Sequence, residues 1–167
     1  LDLETMGTSP FSAIIQIGAV EFSSHEIGRS FKVNVSLESC VSYGLKIEPK
    51  TAQWWMNQSD GARTWLSVES LSLHDALQEF SNWLGNSAVC IWGDGLAFDN
   101  VLLRCAYQVA GIKCPWSFTN DRCFRTMKNM FPVEHIVSDI PHDALCDAMS
   151  QAQQMMSMLK TNCLTLQ

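Results

Sequence analysis

The run of residues 12–22 constrains the fold of this 167-residue chain more than any other segment. It reads Ser-Ala-Ile-Ile-Gln-Ile-Gly-Ala-Val-Glu-Phe, is rich in β-branched residues and has no helical apolar face, so it predicts a strand. Residues 1–4 read as the end of a preceding strand, and residues 31–37 alternate apolar and polar side chains as a third strand. Because the connections are short, the three strands predict an antiparallel meander.

The remainder of the chain shows mainly helical signals. Residues 73–84 have apolar residues at helical spacing, and Gly85 follows as a stop signal. The apolar run over 88–92 predicts a buried strand. Further helices are predicted over residues 50–58, 62–66, 99–110, 121–130 and 143–160. This order predicts an α/β fold, a mixed sheet with helices on its faces.

The charge balance limits the classes of partner. Eleven Lys and Arg against seventeen Asp and Glu leave a net charge of −6. A protein that coats nucleic acid by general phosphate neutralisation would be basic, so this class is excluded. An enzyme that holds cations is not excluded by this charge balance. The length and the 47% apolar content indicate one globular domain over residues 1–167.

The seven cysteines indicate an intracellular protein. They are odd in number and scattered, and no C-x-x-C pair occurs, which disfavours a zinc site or a disulfide framework. We therefore expect buried, reduced thiols. No apolar run approaches the roughly 18 residues of a membrane span, so no membrane association is predicted.

Acidic residues at predicted strand and helix ends carry the functional signal. Strand alternation places Asp2 and Glu4 on one face and Leu3 on the other. Two such carboxylates repel each other unless a cation lies between them, and oxygen ligands suit Mg²⁺ or Mn²⁺. The alternative is a solvated strand edge. Asp99 follows the break at residues 93–95 and is either a helix-capping acid or a third carboxylate at a strand end.

The last predicted helix adds an acid and a histidine. Asp147 lies beside the apolar stripe of this helix and therefore needs a partner, which could be a basic residue. His142 lies five residues earlier, near the helix start, where a surface or capping role is the alternative.

Together these five residues resemble the DEDDh pattern of the DnaQ-like 3′–5′ exonucleases. The matching motifs are Leu1-Asp2-Leu3-Glu4-Thr5, residues 92–99 ending in Asp99, and residues 142–148 with the His-x4-Asp spacing. Residues 53–59 and 122–126 further resemble a bacterial and phage branch related to a mycobacterial-type 3′–5′ exoribonuclease. The resemblance covers almost the whole chain. Asp94 departs from it, because relatives often carry Asn or His there.

The resemblance implies a ribonuclease H-like fold, with a mixed five-stranded sheet of three antiparallel strands followed by parallel ones. It implies that Asp2, Glu4, Asp99 and Asp147 hold two divalent cations, Mg²⁺ or Mn²⁺, and that His142 is the general base. The substrate would be the 3′ end of single-stranded RNA or DNA. A homodimer and a cytoplasmic location in a bacterium or phage are also expected, with the first strand of the domain cut short at its start.

Further residues are candidates for binding the nucleic acid. Thr5, Met6 and Gly7 would border the 3′-terminal nucleotide, and one of the adjacent tryptophans, Trp54 or Trp55, would stack on a base. The alternative is that the tryptophans anchor a helix to the core. Other candidates are Phe98, beside Asp99, and the basic residues Arg122 and Arg125, grouped with Lys113 and Lys128, whose alternative is a solvated face.

Two other functions share these features. A ribonuclease H-type endonuclease uses similar acidic metal chemistry, but the ordered His142-x4-Asp147 pair favours the exonuclease. A catalytically silent binding or assembly module could have the same fold. The five intact charged or titratable residues argue against it.

Overall fold

The computed structural model describes residues 1–85, 89–95 and 97–164. An antiparallel meander opens the chain, as predicted. Its strands lie in the order β1-β2-β3 and are β1 (Asp2–Thr5), β2 (Ile14–Phe22) and β3 (Ile27–Asn34).

Strand β2 lies at the centre of this sheet and carries much of the core. Ile14, Ile15 and Ile17 are completely buried, so both faces of the strand are covered. This explains why β2 reads as a continuous apolar run rather than an alternating one. The register places Gln16 of β2 opposite Glu4 of β1.

A second, parallel sheet is formed by β4 (Ile91–Gly93) and β5 (Asp121–Cys123). The Leu1 amino group, directly before β1, donates to the Trp92 carbonyl of β4 at 2.9 Å and so links the two sheets. A largely apolar cleft of about 830 Å³ is lined by Val20 and Phe22 of β2 and by Trp92 of β4. The chain is therefore α/β, with an antiparallel and a parallel sheet. The single five-stranded sheet stays a prediction.

Six α-helices cover these sheets in the described part of the chain: α1 (Leu37–Ser42), α2 (Pro49–Met56), α3 (Leu73–Leu84), α4 (Asp99–Ala110), α5 (Phe124–Met130) and α6 (Ala144–Thr161). Single 3₁₀ turns occur at Thr64–Leu66 and Phe118–Asn120. Among the residues described, no helix combines the length and the hydropathy that a membrane crossing requires.

Several predicted elements differ from the structure, and the helix predicted over 62–66 is only the 3₁₀ turn Thr64–Leu66. The strand predicted over 31–37 ends at Asn34, because the Ser36 side chain accepts a bond from the Ser39 N–H and begins α1 instead. The helix predicted over 121–130 is divided, since its first three residues pair with β4 as β5. The strand predicted over 88–92 corresponds to β4, which begins at Ile91. Residue 88 lies outside the described residues.

Helix α6 packs across β2 at unusually short range. A Cβ placed on Gly18 would lie 2.1 Å from the Ala144 carbonyl carbon and 2.2 Å from its oxygen. Further along the helix, Ala148 and Ala152 pack against Val20. The absence of a side chain at Gly18 therefore lets the first turn of α6 rest directly on the sheet.

We expect Gly18→Ala to lower the free energy of unfolding by at least about 2 kcal/mol, because the obstructing atoms belong to the backbone of α6. Gly61→Ala is the matched control. There the nearest atoms to a new Cβ lie 3.8 and 4.0 Å away, so its effect should be small. Chemical denaturation followed by circular dichroism measures both, and equal stabilities would contradict this account of the packing.

Candidate active site

Carboxyl groups from three elements distant in sequence converge at one end of the molecule. β1 contributes Asp2 and Glu4, α4 begins at Asp99, and Asp147 lies in the first turn of α6. The Leu3 N–H donates to Asp99 Oδ1 at 3.1 Å, which ties β1 to the start of α4.

Glu4, His142 and Asp147 form the tightest group in the site. Each offers one ligand atom, and these atoms all lie within 4.8 Å of one another. The His142 N–H donates to Asp147 Oδ2 at 3.0 Å, and His142 has a left-handed backbone with φ of 65°. Such a conformation is uncommon outside glycine and is often found at functional sites.

Burial and the charges of neighbouring carboxylates raise the pKa values of Asp2 and Glu4, and burial raises that of Asp99. Burial, followed by the charges of Asp147, Asp99 and Asp143, raises the pKa of Glu4 to about 8. The pKa of Asp2 is also well above its ordinary value, for the same reasons in the same order: burial and then neighbouring carboxylates. Burial raises the pKa of Asp99 to about 6.

The donor set fits a divalent cation. Asp99 Oδ2 is buried and has no hydrogen-bond partner among the described residues, although its other oxygen is bonded. Such an orphaned acceptor is costly unless something positive binds it. Carboxylate oxygens are the ligands that Mg²⁺ and Mn²⁺ prefer, and a positive charge here would also relieve the repulsion around Glu4.

The two adjacent tryptophans have different surroundings. Trp55 is only 3% exposed, and its Nε1–H donates to the Thr5 carbonyl at 2.9 Å. Trp54 is 42% exposed, and its ring centroid lies 4.8 Å from that of His142. The burial of Trp55 speaks against its predicted role as a base-stacking residue. Trp54 is the member of the pair that presents a free surface beside the site.

The turn after β1 is held by one internal bond and by backbone bonds to Ala13 and Glu48. Thr5 Oγ1 donates to the Gly7 carbonyl at 2.7 Å, and the Met6 side chain lies in the core. A Cβ on Gly7 would lie 2.4 Å from Ser12 Oγ, so that side chain would have to move to admit a larger residue. Thr5, Met6 and Gly7 are all buried.

The remaining predicted binding residues lie at three different places. Phe98 directly precedes Asp99 and packs on the core. Arg125 donates to the Asp94 carbonyl at 2.6 Å, on the loop that leads to Asp99. Arg122 bonds the Thr119 and Asp121 carbonyls and lines the apolar cleft, so it does not share the position of Arg125.

Gln151 is a site residue that the sequence reasoning missed. Its Nε2 donates to Asp2 Oδ1 at 2.7 Å. Gln151 lies one helical turn after Asp147, and residues four apart share a helix face. That spacing was the signal available in the sequence.

We expect the metal-free protein to lose stability as the pH rises from about 4.5 to about 8. In this window Glu4 keeps its proton in the folded state and loses it in the unfolded state, so each pH unit costs up to about 1.4 kcal/mol. Asp99 also lowers the free energy of unfolding as the pH rises from about 4 to about 6, because its raised pKa keeps its proton in the folded state. Denaturation with a chelator present measures the slope. Between pH 6 and 8, Glu4→Gln should be less pH-dependent, and an equal slope would contradict the assignment.

The comparison with protein families agrees with the motifs. A family model described as the 3'-5' exoribonuclease Rv2179c-like domain matches residues 1–159. No curated protein gives a significant match. All five residues of the predicted pattern lie inside the matched range, which confirms the predicted relationship to the DnaQ-like exonucleases and their mycobacterial-type branch. The chain belongs to the 3'-5' exoribonuclease Rv2179c-like domain family.

Proposed function

We propose that this chain is a metal-dependent 3′–5′ exonuclease that releases nucleoside 5′-monophosphates from the 3′ end of single-stranded RNA or DNA. The observation that carries the proposal is the convergence of Asp2, Glu4, Asp99 and Asp147 with His142. The family described as exoribonucleases supports RNA as the first substrate to test.

The four carboxylates are the residues that would hold two divalent cations, Mg²⁺ or Mn²⁺. Such ions, when bound, neutralise charge on the phosphate and lower the pKa of a water molecule. The orphaned Asp99 Oδ2 and the raised pKa of Glu4 support this assignment, because both features are unfavourable without a nearby cation. The bond from Gln151 would orient Asp2.

His142 is the proposed general base that takes a proton from the attacking water. The carboxylates of Glu4 and Asp147 lie close enough to stabilise the imidazolium that forms. Its backbone bond to Asp147 and its edge-on contact with Trp54 orient the ring. General-base help of this kind is typically worth about 10²–10⁴-fold in rate.

The substrate would approach along the exposed side of this group. The free surface of Trp54 would stack on a base, a contact worth about 1–3 kcal/mol. The turn at Thr5, Met6 and Gly7 would border the terminal nucleotide, and Arg125, bonded to Asp94, is a candidate for a phosphate contact.

Several of the wider expectations stay predictions. They are the ribonuclease H-like five-stranded arrangement, the single domain over residues 1–167, the homodimer and the cytoplasmic location in a bacterium or phage. Of these, the fold is supported by the family match and by the α/β arrangement of the described elements.

The proposal is tested by digesting RNA and DNA oligonucleotides, labelled at either end, with Mg²⁺ or Mn²⁺. We expect mononucleotides released from the 3′ end, and no release by Asp147→Ala, because one of the carboxylates is lost. Asp139→Ala, which removes an exposed acid, is the control and should be fully active. Internal fragments would indicate an endonuclease, and intact oligonucleotides a silent binding module.

We expect His142→Ala to slow single-turnover cleavage by about 10²–10⁴-fold while Mn²⁺ affinity stays unchanged, since a base acts on the proton and not on the ion. Mn²⁺ binding is measured by calorimetry on the same protein. His135→Ala, at an exposed position, is the matched control. If Mn²⁺ affinity falls in parallel with the rate, His142 is a metal ligand instead.

A further inference from the structure

The first turn of α6 is held to the meander by side chains that do not themselves belong to the candidate site. Asp143 stands between His142 and Asp147 as the N-cap of the helix. Its Oδ1 accepts a bond from the Cys146 N–H at 3.2 Å, and its Oδ2 pairs with the Lys32 ammonium group on β3. One buried carboxylate thus both caps α6 and joins it to the far strand of the sheet.

Gln16 makes a second connection, from β2. It is 3% exposed, and its Oε1 accepts a bond from the Ala144 N–H at 2.6 Å. Its Nε2 donates to Asn34 Oδ1 on β3 at 2.8 Å. Gln16 lies directly opposite Glu4 in the β1–β2 register. Its bond to Ala144 therefore fixes the start of α6 relative to the strand that carries Glu4.

This arrangement is more specific than helix stability requires. The first N–H groups of a helix can be satisfied by one capping side chain or by water. Here a buried amide and a buried carboxylate paired with a half-exposed lysine are used, and the buried amide and carboxylate are costly to desolvate. Their geometry sets where the first turn of α6 stands, and that turn is flanked by His142 and contains Asp147.

We infer that Gln16, Lys32 and Asp143, here called the α6 anchor, are positioning residues that hold His142 and Asp147 in register with Glu4. The inference rests on the proposed function. The anchor acts through the backbone of α6 and is not assigned to bind substrate or cation. A displacement of about 1 Å at a reacting group can cost about 10²-fold in rate, so small shifts of α6 would be visible.

The test uses Lys32, because its side chain is 34% exposed and its replacement leaves the core intact. Lys32→Met keeps the aliphatic stem and removes the charge, whereas Lys32→Arg keeps a donor for Asp143. We expect Lys32→Met to lower kcat by about 10-fold or more with KM nearly unchanged, to weaken Mn²⁺ binding, and to be rescued by Lys32→Arg. Lys160→Met, in the last turn of the same helix, is the control.

A second pair of variants separates the cap from the ion pair. Asp143→Asn keeps an acceptor for the Cys146 N–H and loses the charge that pairs with Lys32, so it should match Lys32→Met. Asp143→Ala loses both interactions and should be worse. The double variant Lys32→Met with Asp143→Asn should be no worse than either single change, since both remove one interaction.

The outcomes distinguish the anchor from the proposed function. If Lys32→Met lowers the free energy of unfolding but leaves kcat and Mn²⁺ affinity unchanged in fully folded protein, the anchor is merely structural and the inference is overturned. If the wild type binds Mn²⁺ but cleaves nothing, the proposed function fails. The Mn²⁺ affinities of Lys32→Met and Lys32→Arg then still test whether the α6 anchor positions the site. If the wild type binds no Mn²⁺, both fail.

Discussion

The main physical constraint on this structure is that several carboxyl groups, which repel one another when ionised, lie close together away from solvent. Asp2, Glu4, Asp99 and Asp147 come from three elements, and burial and mutual repulsion raise the pKa values of Asp2 and Glu4. A chain gains nothing in stability from such a group. The surrounding packing must therefore hold the carboxyl groups in place, and a bound cation would relieve the cost.

Different contacts hold each contributing element. β1 is paired with β2 and tied to α4 by the bond from the Leu3 N–H to Asp99. Helix α6 rests on β2 through the missing side chain of Gly18 and through the bond from Ala144 to Gln16. Strand β2, which is buried on both faces, thus contacts both β1 and α6.

Much of the site followed from local sequence patterns. Strand alternation put Asp2 and Glu4 on the same side with Leu3 in the core, and the structure agrees. The His-x4-Asp spacing placed His142 and Asp147 at one helix start. Trp54 and Trp55 could not be separated in this way, because adjacent helical residues differ by packing against the rest of the fold. The Ser36 cap likewise begins α1 where the alternation of residues 31–37 predicted that the strand continues.

The sequence by itself determined most of the helices and strands, the acidic pattern and the family, because periodicity, caps and motif spacing are local properties of the chain. Only the tertiary structure decided which atoms meet. The orphaned oxygen of Asp99, the exposure of Trp54 and the attachment of α6 by Gln16 and Lys32 all involve residues far apart in the chain. Such contacts are settled by how helices and strands pack, and local patterns carry no record of that geometry.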